Sequence, residues 1–170
     1  MLARRDYSEA DRIISVFSKG WGRISLLAKS VRKPKSRKRP HIEVFSQISF
    51  QAARGKGIDI ITEVDVIDNY LIVRKDLKKV ALAYYFMEVV GRITGEEETN
   101  ISVFNTLVKY LNLLKKERRL KELRLSFIRE LLDNLGFWPK TKKLLNPDEK
   151  LSEILERNLS SMRVGKKLLA

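Results

Sequence analysis

A change of hydrophobic period at Tyr70 constrains this chain more than any other feature. Before it, apolar residues return at every second position in short runs. After it they return every three or four positions over long stretches. Arg12 to Ser18 (RIISVFS) is rich in β-branched and aromatic residues, and Lys19-Gly20-Trp21-Gly22 supplies a tight turn into Arg23 to Lys29, which predicts one hairpin. Val44 to Arg54, the turn Gly55-Lys56-Gly57 and the alternating Ile58 to Ile67 predict a second. Four or five short antiparallel strands without a helical run fit a small closed or nearly closed barrel. An OB-like barrel over residues 1–70 is the first expectation, and an SH3-like barrel the alternative.

The remainder, 71–170, reads as an all-α domain, giving an α+β chain overall. Asp76 to Ile93 is apolar on most faces, which predicts a central helix closed by Gly95 as a left-handed cap. Asn100 is a good N-cap for a helix with Ile101, Phe104, Leu107, Val108, Leu111 and Leu114 at helical spacing. A third helix carries Leu120, Leu123, Phe127, Ile128, Leu131 and Leu135 before Gly136. A fourth opens with Asn146 and Pro147. The stripes of leucines and aromatics are what such helices need to bury a face.

Charge is distributed unevenly along this plan. The formal net charge is +14, and residues 1–57 hold fourteen Lys and Arg against four acids. Seven of the twelve residues from Lys29 to Pro40 are basic (Lys29, Arg32, Lys33, Lys35, Arg37, Lys38 and Arg39) and none is acidic. Pro34 and Pro40 exclude a regular element there. A strand therefore ends in a basic loop, which gains from contact with a polyanion whose condensed counterions are released. A solvated basic tract is the plainer reading. A barrel of this kind binds single strands with a basic groove and aromatic platforms. Candidates are Arg4, Arg5, Arg23, Arg54 and Lys56 beside the loop, with Tyr7, Trp21, Phe45 and Phe50 as stacking surfaces. Trp21, at a hairpin tip, either stacks on a base or packs back on its own hairpin, and Phe17, Phe45 and Phe50 are placed like core residues.

Other classes find little support. There is no phosphate-binding glycine loop, dinucleotide fingerprint, nucleophile elbow or HExxH pair, so a non-enzyme is expected. With no cysteine and a single His41, no zinc site, metal or cofactor is expected. The acidic groups Asp6/Glu9/Asp11 and Glu96/Glu97/Glu98 read as solvated loops. The start lacks the apolar core of a signal peptide, and the longest apolar run, Val80 to Val90, contains Glu88. The expectation is a cytoplasmic protein without membrane contact.

Taken together, several runs resemble the RecO family of bacterial recombination mediators. They are Arg4-Arg5-Asp6-Tyr7-Ser8-Glu9-Ala10-Asp11-Arg12, Phe17-Ser18-Lys19, Gly22-Arg23-Ile24-Ser25-Leu26-Leu27-Ala28-Lys29 and Arg32-Lys33-Pro34-Lys35-Ser36-Arg37. Arg54-Gly55-Lys56-Gly57-Ile58-Asp59, Ile61-Thr62-Glu63 and Arg74-Lys75-Asp76-Leu77 through Ala81-Leu82-Ala83-Tyr84-Tyr85 extend the likeness in order. The resemblance implies an OB-fold followed by a helical domain and no catalytic centre. It implies binding to single- and double-stranded DNA, annealing, and action with RecR to let a recombinase replace single-strand-binding protein. It places Arg4, Arg5, Arg23, Lys29, Arg32, Lys33, Lys35, Arg37, Arg54 and Lys56 inside matching motifs. Two departures stand out. Many members carry a cysteine zinc knuckle after a Gly-aromatic-x-Pro step, whereas Gly136-Phe137-Trp138-Pro139 runs on through Lys140 to Leu145 without cysteine. Helix packing, with Trp138, is expected in its place. The family's first strand usually has several apolar residues before the Arg-Asp-Tyr motif, whereas only Met1-Leu2-Ala3 precede it here, which leaves open a short first strand or a trimmed start. A basic RNA-binding or ribosome-associated protein is the rival reading.

Lys115 to Arg129 is locally basic, and Leu120, Leu123, Phe127 and Ile128 are interleaved with its charges. A basic rim around an apolar pocket suits an acidic peptide ending in an aromatic residue and a free carboxylate, such as the tail of single-strand-binding protein. Arg118, Arg119, Lys121 and Arg124 are the candidates, against the plainer reading of a solvated helix face.

Overall fold

The structure, a computed structural model, describes residues 1–139 and 144–155. It divides into two compact units, Met1–Asn69 with Thr94–Thr99, and Tyr70–Ile93 with Asn100–Ala170. The strands of the first are β1 (Ala3–Asp6), β2 (Arg12–Ser18), β3 (Gly22–Ala28), β4 (Gln47–Ala53) and β5 (Asp59–Asp68). They form one OB-like sheet in the order β1-β2-β3-β5-β4. The expected all-antiparallel arrangement is corrected at one place. β5 inserts between β3 and β4 and runs parallel to β3, pairing Leu26 with Asp59 and Leu27 with Ile60. The reason is topological: the basic loop carries the chain from the end of β3 to the far edge, and the β4–β5 hairpin then returns it in the direction of β3.

The sheet is not closed along its edges. β1 and β4 meet only near their starts, where the Met1 amine donates to the Ser46 carbonyl (2.8 Å) and Phe45 N–H to the Met1 carbonyl (2.9 Å). The Arg4 guanidinium reinforces this seam by donating to the Ile42 carbonyl (3.1 Å) and to Glu43. Even-numbered residues of β2 and β3 face the core, with Ile14 opposite Leu26 and Val16 opposite Ile24. Ile61 and Val64 of β5 are buried as well, and Val31, Ile42 and Phe45 fill in from the basic loop and its return. Phe45 reaches its fully buried position from a left-handed backbone (φ 55°). That turn is why β4 begins at Gln47 and not at the expected Val44.

The second unit holds α1 (Leu71–Arg74), α2 (Leu77–Ile93), α3 (Ile101–Lys116), α4 (Leu120–Asn134) and α5 (Pro147–Leu155). As its all-round hydrophobicity predicts, α2 is central, with Leu82, Tyr85, Phe86, Met87, Val89 and Val90 buried. Phe86 lies 4.2 Å from Phe127 between ring centroids, and Tyr110 closes an aromatic triad at 6.1 and 5.4 Å. Asn100 caps α3 by accepting from Val103 N–H (3.0 Å). Gly136 takes a left-handed backbone (φ 74°) just past α4. Trp138 is half-buried with the Lys150 ammonium 5.9 Å from its ring centroid, and Leu144 is buried. The stretch that replaces the zinc knuckle, 140–143, lies outside the described residues. No helix among the described residues is long and apolar enough to cross a membrane.

The segment Thr94–Thr99 belongs to the first unit, although the sequence reading placed it in the helical domain. Gly95 is not the left-handed cap expected there; the positive φ falls on Glu97 (58°). After α2 the chain does not simply reverse, because it pairs with the start of β3. Glu97 N–H donates to the Arg23 carbonyl (2.9 Å), and the Arg23 side chain donates to the Thr94 carbonyl (3.0 Å). Gly22 makes this possible, since a Cβ on it would stand 2.1 Å from the Glu98 carbonyl oxygen, and its φ is +65°.

Candidate nucleic-acid interface

The basic loop is built out from the end of β3 and anchored at several points. Ser30 turns through a positive φ (55°), and its N–H donates to Asp11 Oδ1 (2.7 Å). Val31 is fully buried, and Arg32 N–H donates to the Ala10 carbonyl (2.9 Å). The Arg32 side chain donates to the Ser8 carbonyl (3.0 Å) and pairs with Asp6 (3.6 Å). The loop is thereby held against the β1–β2 connection. It then runs through successive single turns, ending in the short 3-10 turn Arg39–His41, and the Lys38 ammonium donates to the Ile61 carbonyl of β5 (2.8 Å). Asp6 is held below the usual carboxylate range, first by the hydrogen bond from Arg12 and further by the neighbouring charge of Arg32.

This geometry sorts the basic residues picked out from the sequence. Arg4, Arg23, Arg32 and Lys38 are engaged inside the unit, at Glu43 and Ile42, at Thr94 and Glu96, at Asp6 and Ser8, and at Ile61 respectively. Sequence reasoning could not separate these from the rest, because every one of these partners lies more than twenty residues away. Arg5, Lys29, Lys33, Lys35, Arg37, Arg39, Arg54 and Lys56 are exposed, with no acidic partner among the described residues. Five of these eight cations, Lys29, Lys33, Lys35, Arg37 and Arg39, sit on the anchored loop or at its root. Arg54 and Lys56 lie in the β4–β5 turn, at the other end of the β3–β5 pairing.

The aromatic candidates divide in the same way. Trp21 stands 72% exposed at the β2–β3 tip, where its N–H donates to Ser18 Oγ (2.8 Å), so it does not pack back on its hairpin. Tyr7 is 58% exposed on the β1–β2 connection, beside the root of the basic loop. Phe45 is core, Phe17 is buried, and Phe50 faces Val64 across the β4–β5 ladder on the core side. The outward face of β5 carries exposed Glu63 and Asp65 on either side of buried Val64 and is unsuited to a phosphate chain. The outward positions of β1–β3 contain Arg5, Ser15, Ser25 and Leu27 and no acid, although Ile13 and Phe17 on that face are covered.

In the second unit, the pocket expected around Arg118, Arg119, Lys121 and Arg124 loses its apolar half. Leu120, Leu123, Phe127 and Ile128 are buried, because α4 turns that stripe into the bundle. Arg124 points away from solvent too, forming a bidentate pair with Asp148 of α5 beside the Tyr85 ring. Arg118, Arg119 and Lys121 remain exposed. A cleft of about 540 Å³ lies elsewhere, lined by Lys109, Arg129, Glu130, Asp133 and Trp138 among others. There Glu130 accepts from Lys109 (2.7 Å), Tyr110 (3.0 Å) and Thr106 (3.4 Å). Burial pushes the Glu130 carboxyl up, but these donors outweigh it and hold it below its ordinary range.

Comparison with known proteins agrees with this architecture. Residues 1–70 match the family described as Recombination protein O N terminal, and residues 74–153 match Recombination protein O C terminal. A protein of Dehalococcoides mccartyi named DNA repair protein RecO is 34% identical over 84% of this chain and 56% of its own length. Proteins of the same name from Pelotomaculum thermopropionicum (34% identical, 67% of this chain, 44% of the relative) and Alkaliphilus metalliredigens (30%, 82% and 57%) are similar. The chain spans about half the length of the curated relatives it matches. Two matched halves in order, on an OB-like sheet followed by a helical unit, make the chain a member of the recombination protein O family.

Proposed function

We propose that this chain binds DNA in repair and recombination, through the anchored basic loop of its first unit and without a catalytic step. The observation that carries this reading is the set of five unpaired cations, Lys29, Lys33, Lys35, Arg37 and Arg39, held on or at the root of a tethered loop beside exposed Tyr7. Such a surface neutralises successive phosphates and offers a ring to an unstacked base. Arg5, Arg54, Lys56 and Trp21 extend the contact to a longer strand. Engagement of Arg4, Arg23, Arg32 and Lys38 within the unit makes them supports of this surface.

The finer role goes beyond the relatives' name, DNA repair protein, and rests on what the resemblance to the RecO family implies. The chain acts as a mediator that binds single- and double-stranded DNA and anneals complementary strands. With RecR it helps a recombinase onto strands coated by single-strand-binding protein, in the cytoplasm. The test is annealing of complementary oligonucleotides precoated with single-strand-binding protein, with and without the chain. Acceleration that disappears when Lys33, Lys35, Arg37 and Arg39 are replaced by glutamine supports the reading. No acceleration, combined with preferred binding to RNA of the same length, would instead identify an RNA-binding protein.

A further inference from the structure

The second unit gathers its positive charge at one end. α2 and α3 form an antiparallel pair, so the start of α2, the end of α3 and the start of α4 meet there together with α1. The Lys79 ammonium donates to the Lys115 carbonyl (3.0 Å), and the Lys115 ammonium lies 4.8 Å from the Tyr70 ring centroid. Residues 74–79 and 115–122 together hold nine Lys and Arg against three acids. Elsewhere in this unit the described residues hold five against six. Four of those five cations are paired, Arg92 with Glu88, Lys109 with Glu130, Arg124 with Asp148 and Lys150 with Glu153, and the fifth, Arg129, donates to the Leu144 carbonyl (3.4 Å).

The acids at this end are themselves engaged. Asp76 accepts from the N–H groups of Lys78 (2.9 Å) and Lys79 (3.3 Å), capping α2. Glu117 accepts from Arg118 and Arg119 N–H (2.8 Å each) and caps the entry to α4, while Glu122 pairs with Arg119 (3.3 Å). Lys75, Lys78, Lys116, Arg118 and Lys121 are left exposed, with no acidic partner among the described residues. Concentrating like charge at one end disfavours the folded state by self-repulsion unless an anion relieves it.

We infer that this end of the helical bundle is a second phosphate-contacting surface, which holds a single-stranded DNA segment independently of the basic loop. The inference rests on the reading of the chain as a DNA-binding protein and deepens it, since a protein that brings strands together needs more than one place to hold them. A phosphodiester chain fits better than a peptide. The cations come from two segments far apart in the sequence, 74–79 and 115–122, and the apolar side chains of α4 that would have formed a peptide slot are buried. Leu71, Ile72 and Leu77 are exposed on the same part of the unit, so an acidic peptide is included as a competitor in the test.

The experiment measures the stoichiometry of a labelled twelve-nucleotide oligothymidylate on the 170-residue chain, by calorimetry and sedimentation at low salt. The original protein is expected to take two oligonucleotides. One should remain when Lys75, Lys78, Lys116, Arg118 and Lys121 are replaced by glutamine, one when Lys33, Lys35, Arg37 and Arg39 are so replaced, and none in the combined variant. If the five-fold variant does not fold, the exposed triple K116Q/R118Q/K121Q serves instead, with at least a tenfold loss at the second site expected. A stoichiometry of one that the helical-unit substitutions leave unchanged, and the loop substitutions abolish, overturns this inference alone. No binding by the original protein overturns the DNA reading with it. Stoichiometry of one, with an acidic peptide ending in phenylalanine bound only when the helical cations are intact, assigns the surface to a protein partner and overturns the inference.

Discussion

Replacing Lys33, Lys35, Arg37 and Arg39 by glutamine separates the electrostatic role of the loop from its structural one. Of seven basic residues in the tract, Arg32 and Lys38 are held by carbonyls and Asp6, which leaves five for phosphate. If each releases its counterions, the loop contributes about −3.5 to the log–log salt slope on single strands, from about −0.7 per contact, and removing four leaves about −0.7. Between 50 and 200 mM salt the original loop therefore loses roughly a hundredfold in affinity and the variant only about threefold. Fluorescence anisotropy titrations of an oligothymidylate across that range measure both slopes. The difference of about 2.8 between the two proteins is the diagnostic quantity, because charge elsewhere contributes equally to each. Since all four side chains are exposed, the variant should melt within about 0.5 kcal/mol of the original. Equal slopes in two equally stable proteins would show that the loop does not touch the phosphates.

Gly22→Ala forces a Cβ into the Glu98 carbonyl and a left-handed backbone on alanine, at a cost of about 2–3 kcal/mol in thermal unfolding. Gly20→Ala, with nothing near its Cβ, should change stability by less than about 1 kcal/mol. Removing one partner of the part-buried Arg124–Asp148 pair by Arg124→Ala should destabilise by about 1–3 kcal/mol, and Asp148→Asn in the same background should add little, as a double-mutant cycle would show. Glu130 has its carboxyl held below the ordinary range, so its contribution is complete above the unfolded pKa. That contribution is lost as the pH falls through the lower, folded value. Urea unfolding from pH 7 down to pH 3 should therefore fall less steeply in Glu130→Gln, and parallel curves would contradict the assignment.

What the sequence made legible was local. The β2–β3 hairpin, Asn100 as a cap, Gly136 after α4 and the central position of α2 each depend on residues a few positions apart. Their signals are turn chemistry and period, and these survive folding. The parallel β3–β5 pairing was hidden because it depends on where the chain returns after a long loop. Glu97 donates to Arg23 from seventy-four positions away, so the capture of Thr94–Thr99 by β3 left no periodic trace, and Gly95 looked like an ordinary helix stop. The same holds for charge. Arg4, Arg23, Arg32 and Lys38 match their neighbours in type and differ only in what carbonyl lies opposite. For Trp21 the sequence left two outcomes open, and exposure at the tip decided between them.

Engagement of two of the loop's seven cations inside the unit also bears on affinity. The tract's own backbone bonds are single turns, from Lys33 to Ser30, Ser36 to Lys33 and Arg39 to Ser36, and each mobile lysine or arginine that must be ordered on contact costs about 0.5–1.5 kcal/mol. The Lys38 ammonium on the Ile61 carbonyl fixes the far end of the tract to β5, while Arg32 fixes its root to the β1–β2 connection. The five remaining cations are thus presented from a nearly settled backbone, and less ordering is left for the encounter. Lys38→Met keeps the aliphatic stem and removes only the tether. Since Lys38 faces a carbonyl and not solvent, the salt slope should stay within about half a unit of the original. Affinity should nevertheless fall by about three- to tenfold as the loop loses its anchor, equivalent to about 0.7–1.4 kcal/mol. A slope reduced by a full contact at unchanged low-salt affinity would mean that Lys38 leaves Ile61 to meet phosphate, and the anchoring argument would fail.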